Sequence, residues 1–214
     1  IAPPCRLFGQ HWLAWVSATL VAGLVGFACN SIGIAGNGLM EYGKAAGGDN
    51  QTLIWIGMPL YIVGSIIGTV LGTILGGGIY RYLIRIVRGG QPELSDIFAG
   101  FREKPVPLGI LGIVQGLIIT AGVLLCILPG IYLAVAYAFS IPLVMEKNLA
   151  FWDAMEGSRK VVTPVWFPLF GLCLIAIVFA VIGLLLCGVG LLAAYPICGL
   201  MFAKAYCDLF DAGA

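Results

Sequence analysis

Charge is what this sequence has least of. Only 10% of its 214 residues are Asp, Glu, Lys or Arg, against roughly 25% in soluble domains. Histidine occurs once, at His11. No His, Cys and carboxylate group has ligand spacing, and no phosphate-binding loop or nucleophile motif is present. No metal site or catalytic residue is therefore expected, the chain is not expected to be an enzyme, and no cofactor is named by the sequence. A net charge of +1 gives no reason to expect a nucleic-acid partner. The seven cysteines, at 5, 29, 126, 173, 187, 198 and 207, lack the paired spacing of a zinc or redox motif and read as small apolar residues.

What is present is grease. Hydrophobic residues make up 61% of the chain and the mean hydropathy is +1.06. A water-soluble globule of this size cannot hide so much apolar surface, so the solvent is expected to be lipid. The sequence opens "IAPPCRLFGQHW", with no initiator Met and no basic n-region of a signal peptide; an upstream segment is expected.

Crossing the hydrocarbon takes about 20 mostly apolar residues. That rule predicts six spans: Trp12–Ile32, Leu53–Tyr80, Pro107–Leu128, Gly130–Met145, Trp166–Cys187 and Leu191–Phe210. The third and fourth meet at Leu128–Gly130 and the fifth and sixth at Cys187–Gly190, turns so short that each pair must be an antiparallel hairpin. Basic residues are retained on the cytoplasmic side. With six spans, ten of the eleven Lys and Arg fall on the side of both termini, and Lys44 alone on the other. The expected address is a bacterial cytoplasmic membrane, with both termini cytoplasmic and a glycine-rich outer loop, Gly33–Thr52.

The cytoplasmic connections rhyme. "DIFAGFR" (Asp96–Arg102) matches "DAMEGSR" (Asp153–Arg159) as D-x-x-x-G-x-R, and "GVLLC" at 122–126 matches "GLLLC" at 183–187. The predicted architecture is all-α, a polytopic membrane helix bundle. Its six transmembrane helices form three hairpins, with two short cytoplasmic amphipathic helices, in units of about 12–104, 105–160 and 161–211. The amphipathic segments are "QPELSDIFAGFREK" and "NLAFWDAMEGSRKVV", the second with Asn148 as its cap. Asp96, Arg102, Asp153 and Arg159 are expected to contact adjacent hairpins or headgroups.

Glycine recurs every fourth position at Gly64, Gly68, Gly72 and Gly76, as small residues do at Ala14, Ala18, Ala22 and Gly26. Bare rails let two helices approach closely, so spans 1 and 2 are expected to pack along them. A pore lining or a slot for a flat ligand is the alternative. Polar groups inside the spans are few, Gln115 being the clearest, which argues against an ion-coupled carrier. Arg81, Arg85 and Arg88, spaced four and three apart, form one stripe where span 2 emerges. They suit membrane anchoring, anionic headgroups or a partner.

The stretch "LPGIYLAVAYAFSIPLVMEKNLAFWDAMEGSRKVV", through Pro129, Gly130, Tyr132, Tyr137, Pro142, Asp153 and Arg159, resembles a class of bacterial six-span membrane proteins. That class is similar to the membrane domain fused to some glycerophosphodiester phosphodiesterases. The likeness covers residues 55–210 in pattern. It implies the six-helix architecture and a cytoplasmic-membrane location, and lends no catalytic residue. The expected function is a non-enzymatic scaffold or accessory subunit whose partners are membrane lipids, subunits of a larger complex or further copies of itself. The alternative is a transporter or oligomeric channel for a small or hydrophobic solute.

Overall fold

A computed structural model describes residues 12–45, 51–90, 93–185 and 190–211. Among these the chain is helical nearly throughout, with no strand. The cause is the solvent: in lipid every backbone N–H and C=O must be satisfied within the chain, which only helices and closed barrels achieve. Glycine costs about 1 kcal/mol against Ala in an aqueous helix, yet glycine-rich runs stay helical here.

Two long helices, α1 (Trp12–Ala45, 34 residues) and α2 (Gln51–Val87, 37 residues), form an antiparallel hairpin. At 1.5 Å per residue they are roughly 50 and 55 Å long, well beyond a hydrocarbon layer of about 30 Å. Most of the loop expected at 33–52 is helix instead, because α1 continues to Ala45. Gly33 and Gly36, which read as loop residues, let α1 touch the backbone of α2. A Cβ on Gly36 would lie 2.8 Å from Tyr61 Cα, and one on Gly57 would lie 2.8 Å from the Gly36 carbonyl oxygen.

A 3-10 turn (Leu94–Phe98) and the short helix α3 (Ala99–Glu103) follow. This is less than the full amphipathic helix that the sequence suggests, because the segment lies backbone-to-backbone on α2. A Cβ on Gly78 would come 2.9 Å from the Asp96 carbonyl, and one on Gly100 would come 3.0 Å from the Ile74 carbonyl carbon. Pro105 opens α4 (Pro105–Leu125), a position where its missing N–H costs nothing. The turn into α5 (Ile127–Ala136) falls at the extended residue Cys126, not at Leu128–Gly130. Pro129 sits in the first turn of α5, and Gly130 packs against Gly122 and Val123.

The predicted fourth span is broken. Residues Tyr137–Phe139 form a turn between α5 and α6 (Ser140–Lys147). Asn148, expected to start the next helix, ends α6 instead, in the left-handed conformation with φ 57°, a familiar role for Asn. The second amphipathic segment is α7 (Phe151–Val162), whose buried face is Ala154, Met155, Ser158 and Val162. A 3-10 turn, Thr163–Val165, carries it without a break into α8 (Trp166–Leu185), so α7 is continuous with a membrane helix. Last comes α9 (Leu191–Phe210), with the bounds predicted for span 6.

Four helical runs among the described residues are long and apolar enough to cross a membrane: Gln51–Val87, Pro105–Leu125, Ile127–Lys147 and Phe151–Leu185. Their side chains are largely outward-facing, as Trp55, Leu117, Phe167 and Ile177 illustrate. These runs mark the chain as a membrane protein. The buried core gathers around the C-terminal half of α2, where Leu75, Tyr82 and Ile84 meet Leu108 and Leu111 of α4, Phe139 and Leu143 near α6, and Leu200 and Tyr206 of α9.

Candidate functional site

The end of α2 is a charged junction. Arg81, Arg85 and Arg88 lie one helical turn apart, and each meets a carboxylate from another segment. Arg81 pairs with Glu103 at the end of α3. The Arg85 guanidinium donates to both oxygens of Asp96, at 2.7 and 2.6 Å, the fork geometry that makes such pairs strong. Asp96 is 7% exposed and also accepts the Glu93 backbone N–H at 3.1 Å. Arg88 reaches Glu146 of α6 at 2.7 Å and Asp211, just past α9, at 3.0 Å. Beside it, Lys147 donates to the Phe210 carbonyl at 3.0 Å and lies over the Phe210 ring. Burial favours the neutral form of Arg88, but the hydrogen bonds and charges of Glu146 and Asp211 outweigh it and hold the guanidinium charged more firmly than usual. One helix end thus ties together three otherwise separate segments.

The matching halves of D-x-x-x-G-x-R are not equivalent. Asp96 is in the junction, whereas Asp153 is exposed. Arg159 pairs with Glu156 on its own helix at 2.8 Å, as Lys160 does at 3.5 Å. Arg102 is exposed, and neither it nor Asp153 forms an ion pair among the described residues. Glu103, Glu146 and Asp211 are junction residues that the sequence did not single out. A signal was available, since eight of the ten acidic residues lie in the same segments as the basic ones.

The break between α5 and α6 is filled by side chains. Ser158 of α7, fully buried, donates to the Ala136 carbonyl at 2.7 Å and accepts the Phe139 N–H at 3.3 Å. Gln115 of α4 donates to the Tyr137 carbonyl at 3.4 Å. These supply hydrogen bonds that a continuous helix would have made itself. The Ser140 and Tyr206 hydroxyls are buried with no hydrogen-bond partner among the described residues.

The glycine rail divides in two. Gly64 lies on α1, a Cβ there coming 2.6 Å from Gly33 Cα, and Gly68 is buried. A Cβ placed on Gly72 would have nothing within 4 Å, and one on Gly76 only Ile141 Cδ1 at 3.9 Å. On α1, Gly26 likewise meets nothing within 4 Å, and the side chains of Ala14, Ala18 and Ala22 lie outside the described residues. Two grooves open along α2. One, of about 410 Å³, runs between α2 and α4 past Ser65, Thr69, Gly112 and Gly116. The other, of about 220 Å³, lies between α2 and α9.

Compared with known proteins, the chain matches no family model, no curated protein and no solved structure.

Proposed function

We propose that this chain is a non-enzymatic multi-pass membrane protein, a scaffold or accessory subunit that binds anionic lipid or a larger membrane complex. In this reading it has six spans in three hairpins, sits in a bacterial cytoplasmic membrane and keeps both termini in the cytoplasm. The distribution of basic residues supports that orientation. The observation that carries the functional reading is the junction itself: the arginine stripe of α2 is committed to carboxylates of α3, α6 and the end of α9 and the segments between them. Such an arrangement braces one end of the bundle as a fixed platform. The exposed charges left around it, Arg102, Asp153 and Lys160 (its side chain 71% exposed), are free to meet headgroups or a partner's surface.

Native mass spectrometry of the protein released from its own membrane in mild detergent tests this. A stoichiometric protein partner or retained anionic lipid, lost when Arg102 and Lys160 are changed to Ala, is the expected result. A solitary chain without lipid preference that moves solutes in reconstituted vesicles would sink the proposal. The transporter reading has one observation in its favour, the interrupted α5–α6 helix, since discontinuous helices form the binding sites of many carriers.

A further inference from the structure

Gly76 is a glycine of α2 that helix packing leaves unexplained. Its neighbours are pressed tight: a Cβ on Gly77 would come 2.8 Å from Leu108 Cδ1, and one on Gly78 would collide with the backbone of Ile97. A Cβ on Gly76 would make only an ordinary contact, 3.9 Å from Ile141 Cδ1. The bare backbone here instead opens the groove between α2 and α9, to which α9 contributes Gly199 and the two helices together Ile79, Leu83 and Phe202.

Two phenols line that groove, Tyr80 from α2 and Tyr195 from α9. They lie within electrostatic reach of each other, and neither hydroxyl has a hydrogen-bond partner among the described residues. Both stand in apolar helices, where water is not at hand to satisfy them, and an unmade hydrogen bond in such surroundings is costly. Ligand sites have this composition: apolar walls with a few convergent polar groups. A space of about 220 Å³ floored by glycine suits a flat ring better than a branched glycerolipid headgroup. The pair of donors suits a ring that carries carbonyl oxygens.

We propose that the α2–α9 groove binds the planar head of a lipid-soluble quinone, its carbonyl oxygens accepting hydrogen bonds from Tyr80 and Tyr195. The site stands apart from the scaffold reading, and its failure would leave the partner experiment above untouched.

The test is photolabelling of the detergent-solubilised full chain with a diazirine analogue of decylubiquinone, mapped by peptide mass spectrometry. Label is expected on residues 76–83 and 195–202, displaced by unlabelled decylubiquinone and not by an equal concentration of a fatty-acid methyl ester. Tyr195→Phe, which removes only an unpartnered hydroxyl, should weaken that displacement by about three- to tenfold, the value of one hydrogen bond. Gly76→Leu, which fills the groove, should abolish it. Label scattered over all exposed helices, displacement by the ester as effective as by the quinone, or an unchanged Tyr195→Phe variant would overturn the proposal.

Discussion

Between Gln51 and Gly68 the buried residues of α2 are Gly57, Gly64 and Gly68, whereas between Ile74 and Ile86 they include Ile74, Leu75, Tyr82, Leu83, Ile84 and Ile86. The first half meets one neighbour, α1, through exposed backbone, and turns its large side chains outward: Trp55 is 70% exposed, and Ile56, Ile62 and Val63 are exposed as well. The second half is a hub, in contact with α3, α4, α6 and α9, and its own side chains fill the space between them. The two halves therefore use opposite kinds of contact. Lipid is as apolar as leucine, so there is no hydrophobic gain from covering the first half; close backbone approach is what holds that pair of helices together. In the second half, interdigitated side chains and ion pairs fix several segments at once.

Breaking the hub should cost most. Gly78→Leu puts a side chain where the carbonyls of Asp96 and Ile97 lie, so the 94–103 segment must lift off α2. A loss of more than about 3 kcal/mol, above the usual overpacking penalty because backbone cannot yield, is expected; fluorescence-detected size-exclusion chromatography should show little folded protein. Arg85→Ala comes next. It strands Asp96, which is largely buried, at a cost of about 2 kcal/mol, between the values for exposed and buried pairs. That should appear as a lowered thermal midpoint in detergent, with much of the loss recovered in the double variant Arg85→Ala with Asp96→Ala. Ser158→Ala is the smallest of the three. It leaves the Ala136 carbonyl and Phe139 N–H without their shared partner, worth about 1–2 kcal/mol. Faster amide exchange across residues 136–140 is the readout.

Hydropathy alone located α9 and the start of α8, because long uninterrupted apolar runs leave little choice. It misplaced the end of α1, because Gly33, Gly36 and Gly38 with Asn37 look like a loop in water and behave as a packing surface in lipid. Leu128–Gly130 read as a turn because Pro and Gly punctuate chains, yet Pro is compatible with the first turn of a helix. The arginine stripe was plain as a pattern, but its partners were not: Glu146 is 58 residues and Asp211 is 123 residues from Arg88, and no local spacing encodes such pairs. The repeat D-x-x-x-G-x-R shows the converse. The same letters recur, but only the copy lying on the end of α2 joins the ionic junction.

The rail itself offers the most direct test of the contrast along α2. Gly64 and Gly72 are two helical turns apart on one edge, and only Gly64 meets α1 at backbone distance. Thermal unfolding of Gly64→Leu and Gly72→Leu, measured side by side in the same detergent, should give a sharply destabilised hairpin for the first and a midpoint within error of the parent for the second. Equal losses in the two variants, or a parent-like Gly64→Leu, would contradict the account.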